Sequence, residues 1–228
     1  MNASISLHDT VTSVMTNLEP IRFDAPGAVP AMEVVADWTS GLPIFKSSRM
    51  MVRELVKSDA ATLLALLRTE EVARFISPPP TTPEAFEKFI DWAIGQRQAG
   101  NQMTFGMVPE GFDHAVGLVQ VRAIAPNFSV AEWGFAVGSP FWGTGLFLAS
   151  ARTTLDFTFQ HTGVNRLEAR AAVQNGRGNG ALRKIGAVRE GILRGSLLND
   201  EKYLDQVMWS IVANDWYQLN ASSNSSVH

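Results

Sequence analysis

Three consecutive pieces decide how this chain is read: Ala131-Glu-Trp-Gly-Phe-Ala-Val137, then Gly138-Ser-Pro-Phe-Trp-Gly-Thr-Gly145, then Leu146-Phe-Leu-Ala-Ser-Ala-Arg-Thr-Thr-Leu-Asp-Phe-Thr-Phe159. The first mixes aromatic and aliphatic residues in a short run, as a mostly buried strand does. Gly138-Ser139-Pro140 breaks it, and Gly143-Thr144-Gly145 makes a compact turn. A helical period begins directly afterwards, with Leu148, Ala151, Leu155 and Phe159 recurring at spacings of three and four. A strand, a tight glycine turn and a helix leave several backbone N–H groups unpaired at the helix start, with the positive end of the helix dipole behind them. Glycines let a ligand approach that backbone closely. The stretch is therefore a candidate anion site, suited to a phosphate or pyrophosphate. No Gly-Lys-Ser/Thr follows, so it is not a Walker A loop, and no third glycine completes a dinucleotide fingerprint.

Composition narrows the field. A chain of 228 residues predicts one domain, or one domain with extensions. Hydrophobic residues make up 46%, ample for a core. The net charge of −3 comes without any Lys/Arg run, so no nucleic-acid footprint is expected. The absence of cysteine excludes disulfides, thiolate metal sites and a cysteine acyl-enzyme. The four histidines are scattered without close acidic partners, so no metal site is expected. No apolar run approaches the roughly 20 residues that span a membrane. The N-terminus lacks a basic region followed by an apolar core. A cytoplasmic protein without membrane contact is the default expectation.

Taken in order, residues 1–45 form a proline- and glycine-containing extension, with a short helix predicted over His8–Leu18 and turns and extended chain over Ile21–Met32. This extension is a candidate contact for a homodimer. Residues 46–217 form the domain, and 218–228 are expected to be a disordered polar tail. Met50–Val56 reads as a strand, and Ser58 as the N-cap of a helix whose core face is Leu63, Leu64, Leu66 and Leu67. Thr82 caps the next helix, with Pro83 at its first position. Phe86, Phe89, Ile90, Ala93 and Ile94 line its apolar face, and Phe86, Phe89 and Trp92 read as core rather than as a substrate cage. Strands follow at Met103–Val108, Ala115–Ile124 and Ala131–Val137. After the long helix come a strand at Asn165–Ala171 and a short helix at Gly178–Ile185, ended by Gly186 as a left-handed cap. A terminal hairpin, Val188–Leu197 with Tyr203–Val212, closes the domain.

Glu132-x-Gly-Phe followed by Pro140-Phe-Trp-Gly-Thr-Gly-Leu-Phe147 resembles the acetyl-CoA-binding core of the GNAT N-acetyltransferases. The nearest likeness is to the branch that acetylates ribosomal-protein N-termini (RimJ/RimL-like). The wider family pattern is Q/R-x-x-G-x-G/A. Trp142 stands at its Q/R position, Gly145 at its first glycine, and Phe147 replaces the final Gly/Ala. Asn175-Gly-Arg-Gly-Asn-Gly-Ala-Leu-Arg-Lys-Ile-Gly-Ala-Val-Arg-Glu-Gly191 is similar to the branch pattern N-x-x-S-x-x-V/L-L-E-K-L-G-F-x-x-E-G. Asn175, Leu182, Lys184, Gly186, Glu190 and Gly191 match it, while Gly178 replaces Ser and Ala187 replaces Phe. Leu204-Asp-Gln-Val-Met-Trp-Ser210 resembles the closing D-x-x-x-Y/W-S strand. The element order strand, two helices, three strands, helix, strand, helix, two strands is the order that the resemblance implies. The expected fold is α+β, with a mixed, mainly antiparallel central sheet flanked by helices and an acyl-CoA site where two strands splay.

The resemblance implies an acyl transfer from acetyl-CoA, as cosubstrate, to an amine. The acceptor would be a protein N-terminal amine or a small-molecule amine. Such a transfer needs no covalent nucleophile. It implies that Phe135, Ala136 and Val137 hold the pantetheine. It also implies that Trp142, Gly143, Thr144, Gly145, Leu146 and Phe147 hold the pyrophosphate, and that Asn175 and Gly178 border the pantetheine or thioester sulfur. Glu132 is the candidate general base, because a carboxylate desolvated on a largely apolar strand has its pKa raised, or else a structural glutamate satisfied by backbone amides or turned to solvent. Asn175 is a candidate to orient the sulfur, or else a helix cap. Gly178 has no hydroxyl to offer the leaving thiolate, so water or another group must serve; the Tyr203 phenol, of pKa about 10, is one candidate, or else a hairpin aromatic. Asp205 is a candidate for binding the substrate ammonium, or a structural acceptor. The alternatives are a catalytically weak acyl-CoA-binding or regulatory module and an unrelated α/β protein whose Gly-Thr-Gly turn is fortuitous.

Overall fold

The computed structural model describes residues 31–32, 37–199 and 201–224. The helix expected over His8–Leu18 lies outside them. The elements are β1 (Ala31–Met32), β2 (Phe45–Lys46), β3 (Met50–Glu54), α1 (Ala60–Leu67), α2 (Glu70–Ala73), α3 (Pro83–Gln98), β4 (Gln102–Pro109), β5 (Gly117–Ala123), β6 (Val130–Val137), α4 (Leu146–His161), β7 (Arg166–Ala172), α5 (Gly176–Ile185), β8 (Val188–Asn199), β9 (Lys202–Val212) and α6 (Ala213–Asn224). The described strands form one nine-stranded sheet in the order β1-β2-β3-β4-β5-β6-β7-β9-β8. Every pairing is antiparallel except that of β6 with β7.

That parallel pairing is short. Val130 faces Arg166, Ala131 faces Leu167 and Glu132 faces Glu168, and there the register ends. On its other side β6 stays paired with β5 through to Val137, which faces Gly117. On the far side of the gap β7 pairs with β9 from Arg166 to Ala172. The two halves of the sheet therefore part after Glu132 and leave a fork.

Strand alternation sorts the core onto two faces. Odd-numbered residues Met103, Phe105, Val119, Val121, Trp133, Leu167 and Trp209 share a buried cluster with Ala151 and Leu155 of α4 and with Leu182 and Ile185 of α5. On the opposite face Val108, Leu118 and Ala136 pack with Leu63 of α1, Val72 of α2, and Phe86 and Ile90 of α3. Trp92 departs from the expected core and is 49% exposed. The period that buries Phe86, Ile90 and Ala93 turns Trp92 outward.

Local sequence explains most element starts. Thr82 Oγ1 accepts the Ala85 N–H at 3.1 Å, and Pro83 occupies the first helical position. Ser58 does not cap α1 but lies inside the 3-10 turn Lys57–Asp59 that precedes it. The organising residue there is the fully buried Asp59. Its carboxylate accepts both guanidinium arms of Arg53 at 2.8 Å, the Val56 N–H at 2.8 Å and the Ala115 N–H at 2.9 Å. Burial pushes the Asp59 carboxyl up, but these four donors outweigh burial and hold it below its usual range.

Two boundary expectations change. β1 and β2 add to the sheet edge, so part of the extension belongs to the domain. The polar tail is helical as far as Asn224, because Asp156 of α4 accepts Trp216 Nε1 at 2.7 Å and Asn220 Nδ2 at 2.8 Å.

Candidate active site

A cleft of about 980 Å³ opens at the fork. Its lining includes Phe135, Ala136 and Val137 of β6, the loop residues Phe141, Trp142, Gly143 and Gly145, and Phe147 and Leu148 of α4. One wall comes from Glu71 to Ile76, apart from Ala73, and the other from Asn175 to Lys184 of α5 and its cap. Val72 belongs to the core on one sheet face, and Leu182 and Ile185 to the core on the other. The cleft thus crosses the sheet where its strands separate.

At the end of β6 the backbone faces this space. The Gly138 N–H is bonded to Val116 O on the β5 side at 3.0 Å. A trans peptide points the preceding carbonyl the opposite way, so Val137 C=O faces the gap. Trp142 Nε1 donates to that carbonyl at 2.9 Å. Two residues earlier, Phe135 presents its own N–H and C=O to the same side, where no strand pairs with it. This is a polar backbone edge suited to an extended amide-bearing ligand.

The loop that follows ends in a helix start left open to a ligand. Gly143 and Gly145 have φ of +78° and +86°, a left-handed region that side chains occupy at a cost. Gly145 is the N-cap of α4 and has no side chain to cap the first turn, and no acidic residue lies there. Thr144 does not line the cleft. Its hydroxyl donates to Phe141 O at 2.8 Å and accepts the Leu146 N–H at 3.3 Å, fixing the turn from within. The Leu146 side chain is 1% exposed and belongs to the core. Phe147 lines the cleft. Its ring lies against Phe135 with centroids 4.0 Å apart, forming part of the cleft wall.

α5 is held by its own sequence. Asn175 is its N-cap, accepting the Gly178 N–H at 2.8 Å, and Gly186 at φ +100° ends it. Asn179 ties it to the sheet by donating to Ala172 O and accepting Trp209 Nε1, at 2.8 and 2.9 Å. Gly178 has no room for a side chain, since a Cβ would stand 2.6 Å from Asn175 Nδ2.

Cations are the site residues that motif reading missed. Arg74, Arg177, Arg183 and Lys184 line the cleft. The Arg177 guanidinium lies 4.6 Å from the centre of the Trp142 ring, an attractive cation–π placement. It brings to the loop the positive charge that Trp142, at the Q/R position, does not carry. The helical period was the available signal, because Arg177 and Lys184 are two turns apart on a helix face otherwise made of Gly176, Gly180 and Ala181.

Three expected residues stand elsewhere. Glu132 does not line the cleft. Alternation turns it to the even-numbered face, where its carboxylate accepts Arg122 Nη2 at 2.5 Å and faces Arg170 Nε at 3.8 Å. The desolvated, unpaired base expected on an apolar strand is instead one member of an ion-pair network. A separate set of ion pairs ties Arg166 to Glu168 and Glu190. Tyr203 is 72% exposed on the terminal hairpin, where it pairs with Leu198, and it does not line the cleft. Asp205 is a structural acceptor, taking the Gly195 N–H at 2.8 Å across the β8 bulge. Among the lining residues Glu71 is the carboxylate that faces the cleft.

Comparison with known proteins gives the same reading of the fold. The N-acetyltransferase YoaA of Bacillus subtilis, itself named as uncharacterized, is 24% identical over 175 residues, covering 75% of this chain and 97% of its own. The ribosomal-protein-S5-alanine acetyltransferase of Vibrio fischeri superposes with a TM-score of 0.68 at 21% identity, covering 76% of this chain and 98% of its own. RimL, a ribosomal L7/L12 α-N-protein acetyltransferase solved in complex with coenzyme A, superposes with a TM-score of 0.67 at 19% identity, covering 74% and 97%. The acetyltransferase (GNAT) domain family matches residues 49–188, more than half of the chain and including the strand, glycine turn, helix and second glycine-containing helix described above. The chain belongs to the GNAT family of N-acetyltransferases.

Proposed function

We propose that the protein transfers an acetyl group from acetyl-CoA to a primary amine. The acceptor is a protein N-terminus, of the ribosomal kind for which its relatives are named, or a small amine. The carrying observation is the fork, with an unpaired β6 edge leading to an uncapped α4 N-terminus. The residues fit the donor. Phe135 and Val137 offer backbone to the pantetheine amides. The Gly143–Phe147 backbone and Arg177 offer donors and charge to the pyrophosphate. Asn175 keeps Oδ1 for its own helix and leaves Nδ2 for the ligand.

Bound acetyl-CoA supplies a thioester carbon open to attack by an amine and a thiolate that leaves with a proton. The chain's task is to bring in an ammonium and strip it of that proton. Glu71 is the carboxylate that an ammonium entering the cleft meets, and it stands with the apolar Val72 and Ile76. We assign it the acceptor ammonium. Glu132, at the point where the strands part, orders the fork through Arg122 and Arg170.

The test is release of free thiol from acetyl-CoA, with an alanine-initiated peptide and a set of small primary amines as acceptors. Turnover should need an amine. Glu71→Gln should lower kcat/KM for the amine by about tenfold or more, the size of one lost charged hydrogen bond, while coenzyme A affinity holds. Glu132→Gln should cost less in turnover and more in thermal stability. A larger turnover loss in Glu132→Gln would return the base role to Glu132. Binding of acetyl-CoA without turnover would favour the second reading, an acyl-CoA-binding module, for which the glycine at position 178 and the absence of Tyr203 from the cleft lining speak.

A further inference from the structure

α5 carries cations at two levels of the cleft. Arg177 lies in its first turn, against Trp142 and the glycine loop. Arg183 and Lys184 lie in its last turn and line the same cleft. Seven residues of helix separate Arg177 from Lys184, roughly 10 Å at 1.5 Å per residue. That is too far for one group to satisfy both levels by direct contact. The first level, with the open α4 N-terminus, is complete as a site for one phosphate group or pyrophosphate. The second is surplus to it.

Position 183 departs from the branch pattern in charge. The branch pattern that the α5 sequence resembles has a carboxylate there, followed by Lys, and this chain has Arg183 followed by Lys184. The exchange changes the local charge by two units. No ion pair of Arg183 or Lys184 occurs among the described residues, whereas Arg122, Arg166 and Arg170 on the sheet face are all tied to carboxylates. Both side chains are exposed and free to reorient towards a ligand. Cations in the last turn of a helix also favour its dipole. That accounts for positive charge at the helix end, but not for its placement along the lining of the cleft.

We propose that Arg183 and Lys184 form a second anion subsite that reads the 3′-phosphate of coenzyme A and so sets a preference for coenzyme A over its dephospho form. This rests on the acetyl-CoA reading above. A phosphate monoester carries close to two negative charges at pH 7 and three acceptor oxygens, which matches a pair of adjacent cations. Nothing covalent happens at this subsite, and it acts only on affinity.

The test is calorimetric titration of the full chain with coenzyme A and with dephospho-coenzyme A at low ionic strength, repeated in high salt. The wild type should bind coenzyme A about tenfold more tightly, as one or two charge-assisted hydrogen bonds would give. That preference should shrink in high salt. Arg183→Glu restores the branch residue, so the helix is expected to keep its fold. It should remove most of the preference by weakening coenzyme A binding while leaving dephospho-coenzyme A affinity within about twofold. Lys184→Gln in the same background should remove the rest. Equal affinities in the wild type, or a preference that survives both substitutions, would overturn the subsite while leaving the acetyl-CoA reading intact. Binding of neither ligand would overturn both.

Discussion

Two helices begin at the same cleft, and they begin differently. α5 starts with a side chain that serves its own backbone, since Asn175 Oδ1 takes the Gly178 N–H. α4 starts at Gly145, without a side-chain cap and without an acid in its first turn. Both starts are tight, and both lie beside a β-strand end. The difference shows where a ligand's negative charge belongs. A helix whose first N–H groups are already met by its own sequence is finished, whereas one that leaves them open in a lined cleft is completed by a bound anion. Arg177 sharpens the contrast, because α5 uses its first turn to send a cation towards the start of α4.

The largest effect should come from filling the open start. Gly145→Glu places a carboxylate where the anion should sit and should weaken coenzyme A binding by at least about a hundredfold, as an unfavourable charge and lost donors together would. Gly145 has φ of +86°, so any side chain there also costs about 1–2 kcal/mol of backbone strain. Gly145→Ala carries that strain without the charge. The difference between the two variants, read by titration in folded protein, isolates the electrostatic part. If both bind alike, the open start is not the phosphate site.

The legible parts of this molecule are those where local chemistry and tertiary placement agree. The Gly143-Thr-Gly145 turn, the Thr82 cap and the Gly186 stop each follow from one or two residues, and each is present as read. The fold order followed from hydrophobic period and turn residues. The ion pairs of Glu132 were not legible because strand neighbours alternate. Its flanking residues Ala131 and Trp133 are buried on one face, and Glu132 looks out from the other among arginines supplied by β5 and β7. Those partners stand 10 and 38 residues away, beyond any local signal. Tyr203 and Asp205 rest on motif and chemistry alone; neither lines the cleft, although the β8–β9 hairpin reaches its wall where Asn199 Nδ2 donates to Arg74 O at 2.6 Å. The helical extension to Asn224 rests on Asp156, 60 residues before Trp216, a tie that a polar tail sequence does not announce.

Asn175→Ala tests the finished start. It should cost about 1 kcal/mol of stability, the usual worth of such a cap, seen as a lower denaturant midpoint at unchanged slope. Coenzyme A affinity should fall only a few-fold. An affinity loss rivalling that of Gly145→Glu, in protein of near-native stability, would make Asn175 a ligand contact first and a cap second, and the contrast between the helices would fail.

The smallest effect is the most diagnostic, because two terms nearly cancel in it. Gly178→Ser restores the residue of the branch pattern and improves helix propensity by about 0.5 kcal/mol. A Cβ at 178 would also stand 2.6 Å from Asn175 Nδ2 and 2.9 Å from its Cγ, so the cap side chain must swing away and its bond to the 178 N–H must weaken. The loss of that bond, about 1 kcal/mol, should leave Gly178→Ser mildly destabilising on its own. With the cap already removed by Asn175→Ala there is nothing to displace, and the same change should stabilise by its propensity alone. The two backgrounds should therefore differ by about 1 kcal/mol, a coupling well above the few tenths that independent sites show. The same change in both would mean that the two residues are independent, and that glycine stands at 178 for a reason other than the Asn175 cap.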